Sequence, residues 1–492
     1  MHPTSALEYK QAKEAWVSDC TGGSIMEVML LASSCVISHG LWLALVNAGM
    51  LPPSWVNGYM VPLVIYVVPA VLIETIAADA SVQVLLGVLF LTLNVVYRTP
   101  TMQRLHALQQ QAAASSSTSS TSSPTINTPN TKSYYKSYLT VYRAATMILT
   151  CIAILAVDFP VFPRRFAKVE TFGTSLMDVG VGSFVFSSGI VASRSYTTPH
   201  GNSMWTALRS SIPLLVLGGA RLVLTRGVDY QLHSSEYGLH WNFFITLGLL
   251  APFVALLPKR NLVPFGYLGF MVLGTYQVLL WRYGLQTWVL QAPRVDLISA
   301  NKEGIASFLG YLGIFLLGVD NGMLLFTDPS APAPAASPAL SSSDKTKAHT
   351  PSAAPVNKTS VVVKLSVRCV LYWLSLAACY LIMEKDHVVS RRLANFPYAM
   401  WVVAFNLTLL TALMCVEQQI SESPQAPALL TSINANGLAT FLVANVMTGV
   451  VNLSMQTLYA STISSMLVLA GYMVAVTLFP WILAKYNIRI KL

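Results

Sequence analysis

Charge is scarce in this 492-residue chain: only 10% of its residues are Asp, Glu, Lys or Arg, against about 25% in an ordinary soluble domain. That shortage excludes a water-soluble globule. Cysteine is sparse too. The six cysteines, Cys20, Cys35, Cys151, Cys369, Cys379 and Cys415, lie mostly inside apolar segments and form no CxxC pair and no ligand spacing, so they read as small core residues. The chain has no GxSxG, no P-loop and no HExxH, which removes the chemistries those motifs carry. Its first 23 residues hold Glu8, Lys10, Lys13, Glu14 and Asp19, unlike the basic-then-apolar design of a cleavable signal peptide. The first span is therefore expected to direct insertion itself. Although the formal charge is +10, the basic residues are scattered through short loops and form no stripe with interleaved aromatics, so no nucleic-acid partner is expected.

Apolar sequence is abundant. Hydrophobic residues make up 54% of the chain and the mean hydropathy is +0.57. Runs of 18 or more apolar residues recur along most of its length, the signature of an all-α polytopic membrane protein. Hydropathy read against helix breakers predicts about 13 transmembrane helices, at about 24–48, 59–77, 80–97, 138–157, 175–193, 207–225, 240–257, 264–283, 304–326, 361–383, 395–416, 435–456 and 460–484. A single membrane domain over residues 1–492 is expected. Two tracts break the pattern: a Ser/Thr/Gln tract over about 109–131 and a Pro/Ala/Ser tract over about 328–358. Neither buries enough apolar area to fold, and both are predicted to be disordered loops on one face. An odd span count puts the termini on opposite sides. The face with both tracts and the C-terminus collects 14 Lys and Arg and the other face 12, a lean toward a cytoplasmic C-terminus. On the second face the basic residues are interleaved with acids and aromatics next to spans, as on a working surface.

Ionisable groups inside a span are costly unless paired or wetted. Glu27, Glu74, Asp178 and Arg221 stand at span ends, where they either snorkel to the interface or serve a site. The densest polar stretch is DFPVFPRRFAKVETFGTSLMD, residues 158–178. Phe159, Phe162, Phe166 and Phe172 are expected to hold it against the membrane interface, and Pro160 and Pro163 to interrupt any helix. Arg164, Arg165, Lys168 and Glu170 follow within two helical turns, with Arg164 and Lys168 on one face. An Asp beside three cations can stay ionised as a base, and an interfacial Lys can donate to an oxyanion or hold a phosphate. The bland reading is an ordinary juxtamembrane basic loop.

A second stretch, SSEYGLHWNFFITL, residues 234–247, carries Glu236, His240 and Asn242. A helix would put Glu236 and His240 on one face as an acid/base or hydrogen-bonding pair. No third ligand accompanies them, so no metal site is expected. In EGIASFLGYLGIFLLG the glycines suit close helix packing better than phosphate binding. Arg391 and Arg392 either clamp a phosphate or mark the interface. The sequons at Asn406 and Asn452 fall inside spans.

KEAWVSDCTGGSIMEV, PRRFAKVETFGTSLMDVGVGSFVFSSG, EYGLHWNFF, EGIASFLGYLGIFLLG and RRLANFPY, in this order over nearly the whole chain apart from the two low-complexity tracts, carry a resemblance. The sequence resembles the inositol acyltransferases of glycosylphosphatidylinositol (GPI) anchor synthesis, whose fungal representatives are called GPI-anchored wall transfer proteins. The resemblance implies a multi-pass enzyme of the endoplasmic reticulum membrane, with a lumenal N-terminus and a cytosolic C-terminus. It implies transfer of a fatty acyl chain, usually palmitoyl, from acyl-CoA to the inositol hydroxyl of glucosaminyl-phosphatidylinositol. Acyl-CoA is then a co-substrate, and no cofactor is expected. The family's proposed catalytic pair matches Asp158 and Lys168. On that footing Asp158 is the expected base and Lys168 the oxyanion donor. Arg164 and Arg165 are candidates for lipid or CoA phosphates, and Asp178, Arg221, Glu236, His240 and Asn242 for further substrate contacts. The rival reading is a lipid or solute transporter or flippase, against which no internal repeat is visible.

Overall fold

A computed structural model describes residues 6–116, 136–197, 204–225, 234–256, 263–326, 358–384, 387–421 and 424–490. Among the described residues the regular structure is helical, with no strand. In chain order the principal helices are α1 (Ala6–Val17), α2 (Ile25–Asn47), α3 (Met60–Glu74), α4 (Ser81–Ser116), α5 (Ser137–Ala156), α6 (Leu176–Thr197) and α7 (Met204–Thr225). They continue with α8 (Phe243–Ala255), α9 (Phe265–Arg282), α10 (Lys302–Phe326), α11 (Lys358–Ile382), α12 (Phe396–Ile420), α13 (Gly437–Ser454) and α14 (Thr462–Lys485).

Every predicted span coincides with one of α2–α14, and the chain is an all-α polytopic membrane protein. Ten of these helices are long and apolar enough to cross a membrane. The shorter α3 and α8 and the less apolar α9 fall outside that set. In α3 the regular helix is interrupted by a π-turn at Leu63–Val67, next to Pro62 and Pro69, whose missing N–H groups disturb the ladder. The helix α4 runs on to Ser116, into the Ser/Thr/Gln tract, because Leu, Gln and Ala favour helix. The remainder of that tract and residues 327–357 lie outside the described residues.

Helices α2, α5, α6, α10 and α12 are mostly buried inside the protein, and α4, α7, α11 and α13 leave most of their surface facing outward. Glycine sets the central packing, as the sequence suggests. A Cβ on Gly189 would strike the backbone of Phe315, and one on Gly318 the carbonyl of Phe186. Two backbones therefore approach closely along the α6–α10 seam. A buried polar tie crosses the bundle: His39 on α2 bonds Tyr66 Oη through Nδ1 at 2.8 Å and Glu417 Oε1 through Nε2 at 3.0 Å. Glu74 does not snorkel. It is fully buried, and neither carboxyl oxygen has a hydrogen-bond partner among the described residues.

Candidate active site

The loop from α5 to α6, residues 157–175, closes one end of the bundle. Its local structure differs from the expectation. Phe159, Phe162 and Phe166 are buried in the protein core, not spread on the membrane interface, so they pull the loop inward. Arg164–Phe166 makes a single 3-10 turn, and Ala167 is already extended, so Arg164 and Lys168 do not share a helical face. Pro160 and Pro163 keep α5 from continuing into the loop, and the extended backbone at Ala167 ends the turn. Gly173, at φ 141°, lies against the segment before α2, where a Cβ would meet Thr21 O at 2.5 Å. Gly23 N donates to Thr174 O at 2.8 Å and Gly173 N to Val389 O at 2.9 Å, fastening the loop to both sides.

Two of the charged networks at this end hold the candidate pair. The first surrounds Asp158. Lys13 Nζ on α1 lies 3.2 Å from Asp158 Oδ1, and Asn452 Nδ2, in the last turn of α13, donates to Asp158 Oδ2 at 2.8 Å. The second surrounds Arg391. Its Nε donates to Asp178 Oδ1 at 2.6 Å and its Nη2 to Glu236 Oε1 at 3.4 Å. Lys168 Nζ donates to the same Glu236 oxygen at 2.9 Å. Ser175 Oγ, at 2.7 Å, and the Val169 amide, at 3.2 Å, donate to the other oxygen of Asp178. Arg391 and Asp178 are buried, whereas the Lys168 side chain is 43% exposed. Burial alone would make Arg391 easier to deprotonate, but the carboxylates of Glu236 and Asp178 outweigh it and hold the guanidinium well above the ordinary arginine range.

Asp158 and Lys168, ten residues apart, thus stand in separate networks and make no ion pair with each other. Arg164 stacks on Trp16 at 4.8 Å and its Nη2 donates to Cys20 Sγ at 2.7 Å. Arg165 pairs with Glu27 at 2.7 Å and Asp79 at 2.5 Å, which gives Glu27 a partner. Arg392 and Arg294 converge on the buried Glu303, at 3.3 and 2.6 Å.

Three other candidate residues stand differently from expectation. The helical turn carrying Glu236 ends at Tyr237, and Gly238 has φ 100°. His240 therefore shares no helical face with Glu236: it is exposed, and its amide donates to Asn301 Oδ1 at 2.7 Å. Asn242 is buried. Its Oδ1 caps α8 by accepting from Ile245 N at 3.2 Å, and its Nδ2 donates to Gly218 O at 2.9 Å. Replacing Asn242 with Ala is expected to lower stability by about 1 kcal/mol, as for a lost N-cap, with kcat retained; thermal unfolding in detergent and turnover check both. Arg221 is exposed on the outward-facing α7.

The helices that the loop joins, α5 and α6, also wall a cavity of roughly 970 Å³, counting the part open to the outside. Phe184, Leu214, Phe243, Phe244, Leu247 and Phe441 give it an apolar, aromatic lining, and Arg143 is the one charged side chain in that lining. Its Nε donates to Ser187 Oγ at 3.2 Å. Arg143 lies within a predicted span, an intramembrane cation away from the span ends. Nothing local in the sequence connects Lys13 or Asn452 to Asp158. No group of three or more His, Cys, Asp or Glu suited to a metal occurs among the described residues.

A charged, loop-closed end and an apolar cavity among the membrane-crossing helices place the chain in the class of polytopic membrane proteins with a polar end and an apolar interior. Comparison with known proteins narrows this. The GWT1 family matches residues 9–483. The chain is similar to GPI-anchored wall transfer protein 1 of Gibberella zeae, 39% identical over 98% of this chain and 99% of the relative. The Saccharomyces cerevisiae relative of the same name is 38% identical over 98% and 99%, and that of Yarrowia lipolytica 43% over 72% and 74%. The chain belongs to the GWT1 family, and with it to the membrane proteins of GPI-anchor biosynthesis.

Proposed function

We propose that this protein transfers a fatty acyl chain, palmitoyl in the ordinary case, from acyl-CoA to the inositol hydroxyl of glucosaminyl-phosphatidylinositol. It would act in the endoplasmic reticulum membrane, with the Asp158 end lumenal and the C-terminus cytosolic. The observation that carries the reading is the position of Asp158. It sits on the loop that joins two of the helices walling the apolar cavity, at the end where the ion pairs of Lys13, Lys168 and Arg391 collect.

In this reading the cavity seats the acyl donor and the charged end receives the lipid headgroup. Asp158 accepts the proton of the inositol hydroxyl as its oxygen attacks the thioester carbonyl. The oxyanion forms near Lys168, whose half-exposed ammonium leaves Glu236 to donate to it. The C–S bond then breaks, and the thiolate takes the proton from Asp158 and leaves as free CoA. Arg164 and Arg165, within the loop, are the cations for phosphate, although each already has a partner. Glu236, linked to both Lys168 and Arg391, couples the proposed donor to the buried Asp178.

Arg143 supplies the test on the donor side. With one hydrogen bond, to Ser187, among the described residues, its remaining N–H groups are available to an anionic group of the donor. Arg143→Ala is expected to raise the KM for acyl-CoA on the order of 10-fold, the worth of a single charge-assisted hydrogen bond, with the KM for the acceptor lipid unchanged. Steady-state titration of acyl-CoA against protein in lipid nanodiscs decides it, and an unchanged donor KM removes the cavity from the mechanism.

A further inference from the structure

The side chain closest to Asp158 with a positive charge comes from neither the 157–175 loop nor a membrane-crossing helix. It is Lys13, on the N-terminal helix α1. Three residues from distant parts of the chain form a closed triangle: Lys13 Nζ reaches Asp158 Oδ1 at 3.2 Å, Asn452 Nδ2 donates to Asp158 Oδ2 at 2.8 Å, and Lys13 Nζ donates to Asn452 Oδ1 at 2.9 Å. Both carboxylate oxygens are held, and the third contact fixes which end of the Asn452 amide faces the carboxylate. Thr457 Oγ1 adds a 3.3 Å bond to Asn452 Oδ1, which leaves the amide nitrogen for Asp158.

Helix α1 is fastened on both sides of this triangle. Trp16 Nε1 donates to Val157 O, the residue before Asp158, at 3.3 Å, and the Arg164 guanidinium lies on the Trp16 ring. At the other end of α1, Tyr9 Oη bonds Thr457 Oγ1 at 3.2 Å, and its ring meets Tyr459 at 5.7 Å. The helix therefore straps the start of the catalytic loop to the turn between α13 and α14, with Lys13 facing inward between them. A carboxylate has about four lone-pair positions, so two donors leave room for a substrate hydroxyl while restricting how the group rotates.

We infer that Lys13 is a positioning residue for Asp158, and that helix α1, with Asn452, belongs to the catalytic site. The inference rests on the reading of Asp158 as the base. Lys13 acts through Asp158: its ammonium and the Asn452 amide aim the free lone pair of the carboxylate at the incoming hydroxyl, so removing either costs turnover more than binding. A misplacement of about 1 Å in such a group can cost on the order of 10²-fold.

The experiment compares Lys13→Met, Lys13→Arg, Asn452→Ala and Asp158→Asn in the full-length protein in nanodiscs, with palmitoyl-CoA and glucosaminyl-phosphatidylinositol as probes and melting temperature measured alongside. Lys13→Met keeps the apolar stem and removes the charge. It is expected to lower kcat on the order of 10- to 100-fold with both KM values within about 2-fold of wild type, Lys13→Arg recovering most of the loss. Asn452→Ala is expected to repeat the kcat effect. Wild-type kcat in Lys13→Met, with Asp158→Asn inactive, overturns the inference and leaves Asp158 as the base. A loss that Lys13→Arg does not rescue and that follows a fall in melting temperature also overturns it, because α1 is then only a structural strap. Full activity in Asp158→Asn overturns the inference together with the reading beneath it.

Discussion

Asp158→Asn is expected to reduce acyl transfer on the order of 10²- to 10⁴-fold in kcat, the range spanned by the loss of a general base, with membrane insertion and abundance unchanged. The substitution keeps the shape that Asn452 and Lys13 hold and removes the charge and the proton-accepting oxygen. Lys168→Ala is expected to cost on the order of 10²- to 10³-fold, as for one donor to a developing oxyanion. Its ammonium is half-exposed and pairs with Glu236, which keeps its contact with Arg391 when the lysine is removed, so the fold should tolerate the change. Turnover per molecule of purified protein, normalised to ligand-independent melting, checks both. Equal abundance with undiminished turnover in both variants removes this pair from the mechanism.

The largest stability effect is expected at Arg391. Its guanidinium lies at the junction of Asp178, fully buried, and Glu236, so Arg391→Ala leaves the Asp178 carboxylate without its cation inside the protein. Breaking a buried pair from one side costs about 3–5 kcal/mol, enough to unseat the 157–175 loop, because Asp178 also receives Ser175 and the Val169 amide. The double variant Arg391→Met with Asp178→Asn removes both charges and is expected to recover part of that loss. Thermal unfolding in detergent measures the series. An Arg391→Ala protein as stable as wild type would show the pair to be dispensable.

The membrane bundle was legible in the sequence because its signal is local: an apolar run of about 20 residues reports a helix whatever surrounds it. The residues from Asp158 to Asp178 stood out for a related reason, since charge is so rare elsewhere in the chain that its concentration there marks the site. The close-packing glycines of α10 were read correctly from their spacing. Long-range partners were beyond reach. Asn452 lies 294 residues from Asp158, and Lys13 439 residues from Asn452; no local pattern joins them, and Asn452 in particular reads as one polar residue in an apolar span. The pairing of Glu236 with His240 failed because periodicity assumes that a helix continues, whereas Gly238 adopts a left-handed conformation and ends it. Phe159, Phe162 and Phe166 of the loop lie in the protein core and not at the membrane interface, a difference that hydrophobicity does not encode, because it does not say whether lipid or protein covers a ring. Arg143 is legible in the sequence as an arginine inside a predicted span.

The most direct test of acyl transfer gives the purified protein acyl-CoA and glucosaminyl-phosphatidylinositol in nanodiscs free of other proteins, and follows thiol release and lipid mass together. The account predicts one free CoA for each inositol-acylated lipid, and neither product with the Asp158→Asn protein. Lipid that stays unacylated in the presence of both substrates, or acylation that proceeds undiminished without the Asp158 carboxylate, would contradict it.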